Sequence, residues 1–404
     1  MTMRRTWLAA VGVAAAWCVA RTLMVLDWYW KSGYITSDVA YYFGSLRDPG
    51  SQALTEYPTP LLWILRLTQL ASGNDYYVFF TLLVALMVAL DALVTAYLFW
   101  RASPLAAIYW VVFLTLLGPI MWFRLDLIPA VAVTLGLTEA FRHPRFCGIM
   151  LAIGAATKLW PALLMLPLIG RDKVAGRRLI SFGVAGGGLA IASLIANGWH
   201  RSISPIIWQL GRGLQIESLS ATWLMIKRAT TPGVLDVDMS TYNAYELFGP
   251  GVSAWQSVAT VLTVIAVVFT LCLTAWLFRV KAPGRGFVVL LAATAIITAF
   301  IAADKTFSPQ YLIWLAGPLG LMLAWAKTPA QRRTAFLAAG LGLVIAGVTQ
   351  VIFPIMYDGL LSYPTGQSGV TALLVARNIL MAAFTIWLCA TAAVVAWRAY
   401  RAAR

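Results

Sequence analysis

Charge is scarce in this chain, and negative charge most of all: 15 acidic residues stand against 30 Lys and Arg in 404 residues. With 11% charged and 61% hydrophobic residues, it cannot keep a soluble globular surface wet, which excludes a soluble enzyme or binding module. Histidine is nearly absent: His143 and His200 are the only two, and the charge pattern puts them on opposite faces of a membrane. The four cysteines, Cys18, Cys147, Cys272 and Cys389, lie in or beside apolar runs without Cys-x-x-Cys spacing. Neither set builds a metal or disulfide framework, so packing is the expected use of the thiols. No metal site is expected; a divalent cation held by loop acids stays open. Phosphate-loop and dinucleotide fingerprints are missing, which argues against a soluble nucleotide-sugar donor. No linker or low-complexity tract interrupts the chain, so 1–404 reads as one membrane domain.

What is there is a series of continuous apolar runs, the mark of an all-α polytopic membrane protein rather than a β-barrel. Spans are expected at roughly 7–26, 76–100, 104–121, 126–141, 179–197, 254–278, 287–303, 308–326, 334–355 and 371–397. The first is read as an uncleaved helix rather than a signal peptide. The net charge of +15 sits in short loops: Arg4-Arg5, Arg101, Arg142 with Arg145, Arg171–Arg178, Arg279-Lys281-Arg285, Lys327-Arg332-Arg333 and Arg398-Arg401-Arg404. That is the positive-inside pattern and not a nucleic-acid stripe, so these loops and both termini are expected to be cytoplasmic. Asp172 is the one acid read among them. The remaining loop acids then fall on the outer face, in loops at about 27–75 and 199–252.

Residues 148–169 break the parity, because an apolar stretch is flanked by positive charge on both sides. Its middle reads Thr157-Lys158-Leu159-Trp160-Pro161, and proline ends a helix there. A re-entrant pair of half-helices with Lys158 near the turn is expected; a kinked full crossing is the alternative. Residues 57–72 read as an interfacial helix on the outer surface.

Within the outer loops, Asp38 is the candidate general base, because a sugar hydroxyl needs a carboxylate to take its proton. The competing use of Asp38 is helix capping, alongside Thr36 or Ser37. Glu56 and Tyr57 are candidates for holding sugar hydroxyls and rings, or for capping and the headgroup belt. Arg124 suits a phosphate and Asp126 a hydroxyl, unless the two simply pair. Lys158, a lysine at membrane depth, demands an anionic partner: a lipid phosphate, or an internal acid such as Asp91 or Glu139. Arg212, Gln215 and Glu217 crowd a phosphate donor, an amide and a carboxylate into six residues. Lys305, Gln310 and Tyr311 open a helix whose N-terminus adds positive potential for an anion.

Together, Asp38, Glu56-Tyr57-Pro58, Arg124-x-Asp126, Lys158-x-x-Pro161, Arg212-Gly-x-Gln215-x-Glu217-Ser218 and Ser308-Pro-Gln-Tyr311 resemble the C-type fold of membrane glycosyltransferases, in particular glycosyltransferase family 87. The resemblance implies a GT-C-type fold of about 10–12 transmembrane helices with a re-entrant half-helix pair and short interfacial helices. It implies inverting transfer of mannose from polyprenyl-phosphate-mannose to a phosphatidylinositol mannoside on the outer face of the cytoplasmic membrane. Asp38 would match the family's catalytic carboxylate, and Lys158, Arg124, Arg212 and Lys305 would share the donor phosphate. An arabinofuranosyltransferase of cell-wall arabinan is the close alternative; a lipid transporter or flippase is the alternative of another class. No cofactor, nucleic acid or protein partner is called for, and a monomer suffices.

Overall fold

Apolar helices dominate because backbone amides in lipid must bond within their own segment. The computed structural model describes residues 3–30, 34–48, 54–280 and 285–403. It is about 80% helical, and seven of its described helices are long and apolar enough to cross a membrane. This is an all-α polytopic membrane protein, with one small β-hairpin in a loop. In chain order the helices are α1 (Met3–Trp30), α2 (Ser37–Arg47), α3 (Thr59–Ala71), α4 (Tyr76–Arg101), α5 (Pro104–Leu117), α6 (Ile120–Phe123), α7 (Leu127–Thr138) and α8 (Pro144–Thr157). There follow α9 (Lys173–Gly211), α10 (Thr222–Thr230), strands β1 (Asp236–Met239) and β2 (Tyr245–Phe248), α11 (Val252–Leu277) and α12 (Arg285–Ala303). The chain ends with α13 (Ile313–Trp325), α14 (Pro329–Gln350), α15 (Tyr357–Leu361) and α16 (Ser368–Ala402).

Each of the ten expected spans contains a helix; seven of these are long and apolar enough to cross a membrane, and those within 104–121, 126–141 and 308–326 are shorter. Their starts follow ordinary capping chemistry: Asp75, Ser103 and Asp172 accept amides of the first turns of α4, α5 and α9, and Thr328 with Gln331 forms a capping box before α14. α12 is the central helix and almost wholly buried, whereas the apolar stretch of α9 is almost wholly exposed. α9 also runs longer than expected, through 199–211, with a kink at Gly198. The second large loop therefore begins near 212 rather than 199.

The two ends of the bundle differ in charge. Arg101, Arg142, Arg178, Arg279 and Trp325 gather at one, the basic end, through contacts such as Arg142 to the Arg101 carbonyl at 3.2 Å and Arg279 to Tyr400 at 3.2 Å. Two expectations there need correction. Glu139 joins Asp172 at this end, bound by Arg101 at 2.6 Å and Tyr97 at 3.0 Å. Arg285 is no loop residue: it is buried and donates to the carbonyls of Pro167 and Ile169. Lys281 and Gly33 lie outside the described residues.

The segment after α8 turns back as the sequence suggested. Lys158 leaves the helix in an extended conformation and a 3-10 helix, Trp160–Leu168, follows. Arg178 then ties both ends of the excursion together, donating to Ala140 O at 2.7 Å and Leu168 O at 2.9 Å. Residues 144–168 thus enter from the basic end and return to it, carrying Lys158 to the far tip. α8 lies against α9 so closely that a Cβ on Gly148 would come within 2.2 Å of the Arg178 carbonyl oxygen.

Inside the bundle Arg21 meets Asp91 at 2.6 Å, and Trp17 and Trp110 add hydrogen bonds of 2.7 and 2.8 Å to the same carboxylate. Removing one partner leaves a buried unpaired charge. Asp91→Ala is expected to cost about 3–5 kcal/mol, read as an earlier thermal midpoint in detergent, with Arg21→Met/Asp91→Leu recovering much of it. The thiols follow the packing expectation in part: Cys147 is buried, while Cys18 and Cys272 are exposed, and all four are unpaired.

Candidate functional site

Opposite the basic end, loops and helix tips enclose a cavity with about 840 Å³ of empty volume. Its walls include Asp38, Glu56, Tyr57, Arg124, Arg212, Gln215, Glu217 and Gln310, eight of the twelve residues singled out from sequence. Asp126, Lys158, Lys305 and Tyr311 lie outside the lining.

Asp38 sits in the first turn of α2 and does not cap it; Thr36, at the N-cap, makes no side-chain capping bond, and Ser37 donates to Tyr34 O. The carboxylate is buried and turned inward instead. Tyr42, one helical turn on, donates to Oδ2 at 3.4 Å, Arg124 forms an ion pair with the same oxygen, and Asn243 Nδ2 donates to Oδ1 at 3.3 Å. Arg124 therefore pairs with Asp38 and not with Asp126. The backbone is extended at Arg124 and helical at Asp126, which sends the two side chains to different neighbours.

Asp126 is the partner of Lys158, at 2.7 Å, and also accepts from Trp314 at 2.8 Å. Asp91 and Glu139 already have other partners, so Lys158 neutralises neither. Trp160, Trp314 and Tyr311 stack at 4.6 and 4.5 Å, and the Lys158 ammonium lies 4.4 Å from the Tyr311 ring centre. This ring stack holds the lysine as a cation at the re-entrant tip.

Glu56 does not cap α3, whose N-cap is Pro58; Tyr41 donates to it at 3.0 Å. Arg201 holds the surrounding loop through Leu54 O at 2.8 Å and Tyr57 O at 3.0 Å. Burial pushes the Glu56 carboxyl up, against the opposing pull of Tyr41 and Arg212. Tyr57 is drawn inward, its hydroxyl 3.2 Å from that of Tyr42.

The second loop builds the opposite wall on backbone pairing. β1 and β2 pair antiparallel, with Val237 opposite Leu247. Residues 214–216 add a third edge through Leu247 N to Leu214 O at 2.9 Å and Ile216 N to Tyr245 O at 3.1 Å. Gln215 is fixed twice, by Ser308 on its side chain at 3.1 Å and by Lys305 O on its amide at 3.0 Å. Gly213 passes so close to Glu246 that a Cβ would lie 2.2 Å from its carboxylate. Arg212 projects into the cavity with its buried Nε free of hydrogen-bond partners among the described residues. The Lys305 ammonium is tethered to Leu210 O at 3.0 Å.

Glu217 is the most completely buried acid of the lining. Arg377 stands 3.8 Å from it, over the Phe307 ring, and Tyr357 lies beside it. Burial wins over these, pushing its carboxyl up to about 7. Folded Glu217 keeps its proton to higher pH than the unfolded chain does, so its contribution to stability is full below about 4.5 and is lost as pH rises to about 7. Glu217→Gln is expected to flatten this slope in thermal unfolding measured across that range, and an unchanged slope would contradict the assignment.

Sequence reasoning missed Asn243, Trp208, Tyr242, Tyr245 and Tyr357, which line the cavity mouth and wall. No local motif marks them. The site thus offers three carboxyl groups, two arginines and an aromatic rim around a polar cavity. No protein-family model matches this sequence, and no curated protein matches it.

Proposed function

We propose that the protein is an inverting glycosyltransferase that moves a mannosyl residue from polyprenyl-phosphate-mannose to a glycolipid acceptor of the phosphatidylinositol mannoside class. The observation that carries this reading is a buried, cavity-facing Asp38 next to Arg124, with Arg212, whose buried Nε lacks a hydrogen-bond partner among the described residues, lining the same cavity. A carboxylate serves as proton acceptor for a hydroxyl, and free guanidinium donors serve a phosphate. Asp38 takes the acceptor proton as the oxygen attacks the anomeric carbon. The C–O bond to the lipid phosphate breaks, and its electron pair leaves with that phosphate. Arg212 and Arg124 hold the phosphate, and Glu56, Gln215 and Gln310 place hydroxyls.

A lipid donor is supported by a second feature. An apolar groove runs between α8, α9 and Pro58–Pro60 and reaches Leu159, beside Lys158 at the re-entrant tip. The concentration of buried polar groups at one end of the bundle supports an enzyme over a carrier, which needs its site near midplane. By the charge rule this end is the outer face of the cytoplasmic membrane.

Purified protein in lipid nanodiscs, given polyprenyl-phosphate-mannose or polyprenyl-phosphate-arabinofuranose with a phosphatidylinositol mannoside or short arabinan, tests the reading by product mass. A gain of one hexose on the mannoside is expected. A pentose gain would keep the chemistry and change the sugar; lipid movement between leaflets without product would favour a flippase.

A further inference from the structure

Asp38 is bound on both oxygens, and its three partners are not alike. Tyr42 is buried in the same helix as Asp38, and Arg124 is fixed at the end of α6. Asn243 is exposed, at the turn of the hairpin that hangs over the cavity mouth. Its hydrogen bond falls on Oδ1, whereas Tyr42 bonds Oδ2 and the Arg124 ion pair is closest at Oδ2.

We propose that Asn243 is a plug on Asp38 that the acceptor displaces, so that the sugar is passed to a hydroxyl-bearing acceptor rather than to water. The inference rests on Asp38 being the base. A carboxylate held by three donors is a weak base, and losing one donor strengthens it. Water would otherwise compete for the same carboxylate: the base would take its proton, the anomeric carbon would gain its oxygen, and the lipid phosphate would leave with the bond pair. Water brings no binding energy with which to displace Asn243. A sugar-bearing acceptor does, by lying against Trp208 and Tyr242, which meet edge to face at 4.8 Å beside the hairpin turn. The acceptor hydroxyl then takes the place of the Asn243 amide at Oδ1.

The turn permits a clean test. Asn243 has φ of 53°, with its amide bonded to Ser240 O at 3.1 Å and Ser240 N bonded to Ala244 O at 2.9 Å. Glycine adopts that conformation without strain, so Asn243→Gly removes the side chain and keeps the turn. In nanodiscs with polyprenyl-phosphate-mannose and no acceptor, Asn243→Gly is expected to release free mannose about tenfold faster than wild type, the worth of one hydrogen bond to a charged group. Adding Asp38→Asn should abolish that release. With a phosphatidylinositol mannoside present, the ratio of transfer to hydrolysis should fall by a similar factor at an unchanged unfolding temperature. Wild-type hydrolysis in Asn243→Gly, with Asp38→Asn inactive in transfer, would overturn the plug and leave the base reading intact. Full transfer in Asp38→Asn would overturn both.

Discussion

Asp38→Asn is expected to lower kcat for transfer by about 10²- to 10⁴-fold, the usual worth of a general base, with little change in donor KM. Asparagine has nearly the same shape and still offers an oxygen to Arg124 and to Tyr42, but it cannot take a proton. The loss should therefore appear in the chemical step. Folding will also be touched, because Arg124 is left without its anionic partner. Thermal unfolding beside the kinetics separates the two effects. A variant that folds less well yet transfers at the wild-type rate per folded molecule would remove Asp38 as base.

Arg212→Ala is the second large expectation. Its buried Nε has no hydrogen-bond partner among the described residues and lies in the cavity wall, where a phosphate can satisfy it. Hydrogen bonds from guanidinium to phosphate are each worth about 1.5–3 kcal/mol. Donor KM should rise about 10- to 100-fold, with kcat falling less. Arg212→Lys should recover only part of this, since an ammonium lacks the planar fork. Steady-state kinetics at varied donor concentration check it; an unchanged donor KM would move the phosphate to Lys158 or Lys305.

Much of the architecture was legible because membrane solvation leaves few choices. Ten apolar runs gave ten helices, and charge parity singled out the segment around Lys158 and Pro161 that turns back. Partners were less legible, because they come from distant parts of the chain. Lys158 plainly needed an acid, yet the acid is Asp126, brought up by the start of α7, and not Asp91 or Glu139. Arg124 and Asp126 are two residues apart and pair with Asp38 and Lys158 instead, because the backbone changes conformation between them. The strands Asp236–Met239 and Tyr245–Phe248 are four residues each, too short for a clear pattern in a polar loop. Asn243 at their turn carried no signal, although it touches the proposed base. The last turns of α9 hid for a related reason: Ile203, Ile206, Ile207 and Leu210 alternate with polar residues as an amphipathic helix does, and read as loop when only long apolar runs are sought.

The central claim is sugar transfer from a lipid phosphate with inversion. The most direct measurement follows the anomeric configuration and mass of the product formed by wild-type protein in nanodiscs from β-linked polyprenyl-phosphate-mannose and a phosphatidylinositol mannoside. One added hexose in α linkage, dependent on Asp38, is the result expected. A β-linked product, or α-linked product made equally well by Asp38→Asn, would contradict the account.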